Sequence, residues 1–209
     1  MRRVIAFDVN ETLLDLRALD GLFGDAARRR QWFGQMLQLA FVGVITDRYV
    51  DFSTAQRAAL EMIGEGPDPV DVAAAMRSLP LHPDVAPALD QLREGGLTLC
   101  SLTNSSLDVS RAQLANAGIA DRFEAILSAD QVGRLKPAPE PYRLVASTFD
   151  AQIGDVRLIA AHAWDCAGAL AAGAKAAFVG RPGMVRSPLG EQPDIVGGDL
   201  DEVASLILA

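Results

Sequence analysis

Six short apolar, β-prone runs recur along the chain, at 4–9, 97–103, 125–128, 156–161, 175–179 and around 195–196, and they are apolar at successive rather than alternate positions. A strand turns successive side chains to opposite faces, so a run without a polar face must be covered on both sides. Sheets buried in this way are almost always parallel, and parallel neighbours need a crossover long enough to hold a helix. The segments 85–94, 106–117, 141–149 and 165–172 supply such crossovers, with apolar residues at helical spacing. Gly95, Gly118 and Gly173 follow three of them, where a helix stops most easily. The expected fold class is α/β, with a doubly wound parallel-sheet core. The stretch 15–80 breaks the alternation. It holds no clear strand but three helical patterns, at 28–44, 52–63 and 69–78, with breaks at Gly64-Glu65-Gly66-Pro67 and Pro80-Leu81-His82-Pro83. The expected organisation is therefore a core domain from 1–14 and 81–209, with a helical insertion from 15–80 after the first strand.

A chain of 209 residues that is 50% hydrophobic can bury such a core. Its 27 acidic against 19 basic residues leave a net charge of -8, which repels phosphate backbones and anionic membranes and argues against a nucleic-acid partner. No apolar stretch reaches the roughly 18 residues of a membrane span. The basic start Met1-Arg2-Arg3 is followed by four apolar residues and then Asp8, too short a run for a signal peptide, so a cytoplasmic location is expected. Cys100 and Cys166 lack the spacing of a metal or redox motif and read as reduced core thiols.

In an open parallel sheet, ligands bind beyond the carboxyl ends of the strands. Four polar groups stand at or soon after such ends. Asp8, with Asn10 and Thr12 behind it, is placed to attack an electrophile, although a turn or capping aspartate is the plainer alternative. Ser101-Leu102-Thr103-Asn104-Ser105-Ser106 offers donors for an anion at a helix start, where Ser and Asn also serve as ordinary caps. Lys136 lies in Gly133-Arg134-Leu135-Lys136-Pro137-Ala138-Pro139, a loop that two prolines stiffen. Ala160-Ala161-His162-Ala163-Trp164-Asp165 runs from a strand end into a helix that Asp165 could cap.

The order Asp8-x-x-x-Thr12-Leu13, Leu102-Thr103-Asn104, Lys136-Pro137 and Ala163-Trp164-Asp165, followed by Gly168-Ala169, resembles the haloacid dehalogenase (HAD) superfamily over nearly the whole chain, including a helical cap after the first motif. Within it, Phe7-Asp8-Val9, Arg48-Tyr49-Val50-Asp51-Phe52, Lys136-Pro137 with Tyr142, and Ala163-Trp164-Asp165 most resemble the L-2-haloacid dehalogenases. The resemblance implies that Asp8 displaces halide from the α-carbon of a small 2-haloalkanoic acid, and that water then hydrolyses the resulting ester at the aspartyl carbon. It implies catalytic roles for Asp8, Thr12, Lys136 and Asp165. Lys136 and Thr12 would hold the nucleophile, Thr103 the substrate carboxylate and Asn104 the halide, while Tyr142 and Asp165 would support the lysine and the hydrolytic water. Asn10, Phe33, His162 and Trp164 are the further candidates for the substrate pocket. The resemblance also allows a homodimer.

The chemistry separates this reading from the phosphatases of the superfamily, which use an acid two residues after the nucleophile to protonate a poor leaving group. Asn10 has no such proton to give, and halide needs none. Ala161 stands where phosphatases commonly place an acidic Mg²⁺ ligand. The expectation is chemistry without metal or cofactor, with Mg²⁺ entering only under a phosphatase alternative. A third alternative keeps the fold as a small-acid binder without turnover. Three departures stand out. Aligning back from Arg48 puts Trp32 on the cap tryptophan and Phe33 on the halide-binding arginine. Ala160 and His162 replace a serine and an asparagine, and Asn10-Glu11 replaces an aromatic-glycine pair. Arg28, Arg29 and Arg30 lie nearby and read as a solvated basic helix face.

Overall fold

The computed structural model describes residues 3–209; Met1 and Arg2 of the basic start lie outside the described residues. The strands are β1 (Val4–Phe7), β2 (Thr98–Thr103), β3 (Ala125–Ser128), β4 (Val156–Ala160), β5 (Lys175–Val179) and β6 (Ile195–Gly197). They form one sheet in the order β3-β2-β1-β4-β5-β6, every pair parallel, which is the expected doubly wound arrangement. The chain winds outward from β1 to β3 and then returns to β4 on the other side of β1. That reversal opens a crevice beyond the carboxyl ends of β1 and β4.

The helices are α1 (Asp20–Phe23), α2 (Ala26–Ile45), α3 (Phe52–Met62), α4 (Pro69–Met76), α5 (Val85–Glu94), α6 (Leu107–Asn116), α7 (Pro139–Thr148), α8 (Ala163–Ala171) and α9 (Leu200–Leu208). Alternate strand residues serve the two faces. Ile5, Phe7, Leu99, Ile159 and Ala177 pack with α5, α6 and α9, while Val4, Ala6, Cys100, Leu158 and Ala176 pack with α7 and α8. Trp32, Phe33 and Met36 of α2 and Phe52 and Ala55 of α3 belong to the first cluster, so the helices between β1 and α5 share a continuous apolar core with that face.

Acidic caps set the starts of three of those helices: Asp25, Asp51 and Asp68 accept from backbone N–H groups of α2, α3 and α4. α5 itself ends at Glu94 with Gly95 directly after it, as expected, and Gly96 carries the positive φ (76°). Other boundaries differ from expectation. α8 begins at Ala163, which puts Asp165 inside its first turn and not ahead of it as a cap. α9 is an additional helix, with Asp199 as its cap and Leu200, Val203, Ala204 and Ile207 buried at helical spacing. Cys100 and Cys166 are free and buried, and burial pushes both thiols up, as suits reduced core residues. Among the described residues no helix is long and apolar enough to cross a membrane.

Candidate active site

Asp8 directly follows β1, and its N–H donates to Ile159 O at 3.1 Å, extending the β1–β4 ladder and fixing the carboxylate at the mouth of the crevice. Its Oδ1 accepts from Lys136 Nζ at 2.9 Å, and its Oδ2 accepts from Thr12 Oγ1 at 2.6 Å. Thr12 is oriented in turn by the Ala161 N–H, which donates to its hydroxyl at 3.0 Å. Lys136 is completely buried. Its remaining donors go to Asp165 Oδ2 at 2.5 Å and to Leu102 O at 2.9 Å, so all three protons of the ammonium are engaged. Tyr142 donates to the other Asp165 oxygen at 2.6 Å. Asn104 grips the lysine from behind: its Oδ1 accepts from Lys136 N at 2.8 Å and its Nδ2 donates to Lys136 O at 3.2 Å. α8 comes this close only because residue 168 is glycine, since a Cβ there would lie 2.5 Å from the Tyr142 hydroxyl and 2.6 Å from Pro137 Cβ.

The charges explain the protonation of this cluster. Burial alone would raise Asp8, but the Lys136 ammonium, His162 and the Thr12 hydroxyl together hold it well below the usual carboxylate range. Burial would lower Lys136, and Asp165 and Asp8 outweigh it, so the ammonium is stabilised. Asp165 is pushed up by burial and by the neighbouring Asp8 charge, against the pull of Lys136 and Tyr142. The result is an ionised Asp8 at neutral pH, as a nucleophile requires.

His162 completes the surroundings of Asp8. Its Nδ1 lies 3.2 Å from Asp8 Oδ2 and its Nε2 lies 3.0 Å from Glu11 Oε2. Phe33 stacks on one side of the imidazole at 5.9 Å between centroids, and Trp164 stacks on it at 5.3 Å. Burial disfavours the charged ring, but the two carboxylate hydrogen bonds carry His162 from an ordinary 6.5 up to about 9. A folded value raised above the unfolded one adds stability that is complete below pH 6.5 and is lost as pH rises through about 9. That difference corresponds to about 3 kcal/mol, or roughly 10 °C of melting temperature for a chain of this size. Thermal melts should show wild type losing that margin over His162→Gln between pH 6 and pH 10; parallel curves would show that the ring is not charged in the fold.

The basic face expected on α2 is corrected at one position. Arg29 is buried, only 4% exposed, and donates to Glu11 Oε1 at 3.3 Å and Asp20 Oδ1 at 2.6 Å. A guanidinium that leaves water needs carboxylate partners, and here it has two. Glu11 is therefore neutralised from both ends and presents no free charge to an anionic ligand. Arg30 is exposed and Arg28 partly so, as a solvated face would be.

The other candidates sit close by with their own partners. The Asn10 amide donates to Ser105 Oγ at 3.1 Å and accepts from Gln113 Nε2 at 3.0 Å, while Thr103 Oγ1 accepts from Ser105 N at 3.2 Å. The buried Trp164 Nε1 has no hydrogen-bond partner among the described residues and is a donor left unspent at the site. Ser105 also floors a groove of about 350 Å³ whose walls include Phe52, Arg57, Met76 and Arg77. Arg29 and Gln113 are polar residues of this network that the motifs did not single out for it, while Ser105 belongs to the predicted donor cluster. All three are buried, which a motif scan does not register.

With this geometry in view, residues 2–173 match the haloacid dehalogenase-like hydrolase family. The chain belongs to that family. Within the haloacid dehalogenase-like hydrolases, it is 28% identical over 218 residues to (S)-2-haloacid dehalogenase 2 of Pseudomonas sp. (strain CBS-3), an alignment covering 98% of this chain and 95% of that protein. The chain is also 33% identical over 153 residues to a phosphoserine phosphatase of Thermus thermophilus, covering 70% of this chain and 61% of that one. The solved structure of the L-2-haloacid dehalogenase from Xanthobacter autotrophicus with chloropropionic acid covalently bound matches with a TM-score of 0.88 at 26% identity, over 99% of this chain and 98% of that one.

Proposed function

We propose that this hydrolase cleaves the carbon–halogen bond of a small 2-haloalkanoic acid through an ester on Asp8, without a metal ion. The carrying observation is the Lys136 ammonium, buried between Asp8 and Asp165 at 2.9 and 2.5 Å. A magnesium ion requires several oxygen ligands in near-octahedral geometry, and Ala161 offers no carboxylate where the phosphatases of the superfamily commonly place one. Both Asp165 oxygens are already taken by Lys136 and Tyr142. The residues present do not fit the metal, and the lysine keeps the nucleophile ionised. The relatives named for 2-haloacid dehalogenation, matched end to end, support the same reading.

In this reading Asp8 Oδ attacks the α-carbon from the side opposite the halogen, forming a carbon–oxygen bond as the carbon–halogen bond breaks. Thr103, Asn104 and the free Trp164 N–H offer donors to the substrate carboxylate and the leaving anion. The helices of 15–80 act as a cap over the core of 1–14 and 81–209. Incubation with 2-chloropropionate should release chloride at the same rate in EDTA as in Mg²⁺. The phosphatase alternative, which the Thermus relative keeps in view, instead requires Mg²⁺-dependent phosphate release from an aryl phosphate. Phosphate release without chloride release would replace the dehalogenase reading.

A further inference from the structure

We propose that His162 is the general base that drives water onto the aspartyl ester, with Glu11 as its positioning residue. The inference rests on the ester chemistry above and assigns its second half. In the related dehalogenases the resemblance places an asparagine at 162 and a glycine at 11, and this chain changes both. The two changed residues meet: His162 Nε2 is 3.0 Å from Glu11, while Nδ1 is 3.2 Å from the nucleophile. Phe33, at the position aligned with the arginine, and Trp164 hold the ring plane, so its nitrogen edges stay aimed at Asp8 and Glu11.

Two further observations favour a working role over simple packing. Glu11 has a φ of 61°, a left-handed conformation that strains any residue with a side chain, and its ion pairs with His162 and Arg29 compensate. Asp165 is fully buried, is hydrogen-bonded to Lys136 and Tyr142, and reaches Asp8 only through the Lys136 ammonium. Of the side chains hydrogen-bonded to Asp8 among the described residues, Lys136 is held as an ammonium and Thr12 is a hydroxyl donor. That leaves His162 as the group able to take a proton, once alkylation of Asp8 has removed one of its two anionic partners.

In the resting site the imidazolium donates to both carboxylates. Alkylation of Asp8 turns that carboxylate into a neutral ester, the imidazolium loses one of its two anionic partners, and its proton departs with the halide. The neutral ring, still donating Nε2–H to Glu11, then takes a proton from water at Nδ1 as the water oxygen bonds to Asp8 Cγ. The tetrahedral centre collapses, breaking the bond from Cγ to the bridging ester oxygen that Asp8 had supplied, and the departing alkoxide takes up the second water proton. Hydroxy acid, halide and one proton leave; Asp8 carboxylate and the imidazolium are restored. The charged groups around the ring are Asp8 and Glu11 on the β1 loop, Arg29 of α2 behind Glu11, and Lys136 with Asp165 beyond Asp8. Glu11 also lines a crevice with Asp15, Arg17 and His82, through which the released proton can reach solvent.

The test compares wild type, His162→Gln and Glu11→Gln with 2-chloropropionate, following chloride, 2-hydroxypropionate and the mass of the Asp8 peptide. Wild type should form both products in step. His162→Gln should give a stoichiometric burst of chloride, hydroxy-acid formation slower by at least about 100-fold, and an Asp8 peptide carrying the propionate ester. Glu11→Gln should retain turnover with the acidic limb of kcat moved to lower pH, because a base without its carboxylate partner is weaker. Hydroxy acid formed by His162→Gln at the wild-type rate, or loss of chloride release with no ester, would overturn the base assignment. An unmoved pH limb in Glu11→Gln would remove Glu11 from the mechanism. Absence of chloride from the wild type itself would remove the ester reading and this role together.

Discussion

Lys136→Met is expected to abolish turnover and to destabilise the fold by about 3–5 kcal/mol. Methionine nearly matches the volume of the lysine stem, so the loss isolates the charge and its three hydrogen bonds. Without the ammonium, Asp8 and Asp165 remain as two carboxylates that are buried and close together, and Leu102 O loses its donor. Their affinity for protons must then rise above that of the unfolded chain. Groups raised in this way destabilise the fold at neutral pH and recover stability as pH falls through their raised values. The melting temperature of the variant should therefore sit roughly 10 °C below wild type at pH 7, with the gap narrowing toward pH 5. Thermal melts across that range check it. A variant as stable as wild type at pH 7 would show that the two carboxylates do not share a buried charge.

Asp8→Asn should reduce chloride release from 2-chloropropionate by at least about 10⁴-fold, with a smaller loss of melting temperature than Lys136→Met even though His162 loses an anionic partner. The amide keeps the shape of the side chain, and Lys136 retains Asp165 and Leu102 as partners. It cannot form the ester, because a neutral amide oxygen is a poor nucleophile. A chloride-selective electrode reads the result. Retention of a tenth of the wild-type rate would place the nucleophile elsewhere.

Much of this arrangement was legible before the structure because apolar runs fix where strands end. The runs before Asp8 and before Ala161-His162 mark β1 and β4, whose adjacency creates the crevice. Helical spacing predicted α5, α6, α7 and α8 to within two residues of their observed ends, and the same spacing in Leu200, Val203, Ala204 and Ile207 carried the signal for α9. Partnerships across the insertion were not legible. Periodicity says which face of α2 is apolar but not what a lone buried guanidinium will meet, so Arg29 read as a solvated face although Glu11, 18 positions earlier, waits beneath it. In the sequence Glu11 is only an acidic residue in place of a glycine; its contacts with His162 and Arg29 show its charge to be paired. Asn104 is similar. Its motif suggested an anion-binding amide, yet two of its hydrogen bonds hold the backbone of Lys136, 32 positions further on.

The central claim is that water attacks the carboxyl carbon of Asp8 and not the substrate. A single turnover in H₂¹⁸O, with enzyme in excess over 2-chloropropionate, tests it most directly. The account predicts one ¹⁸O in the peptide containing Asp8 and an unlabelled 2-hydroxypropionate, because the hydroxyl oxygen of the product comes from the aspartate. Label in the hydroxy acid with none in Asp8 would mean that water displaces the halide directly, and would contradict the account.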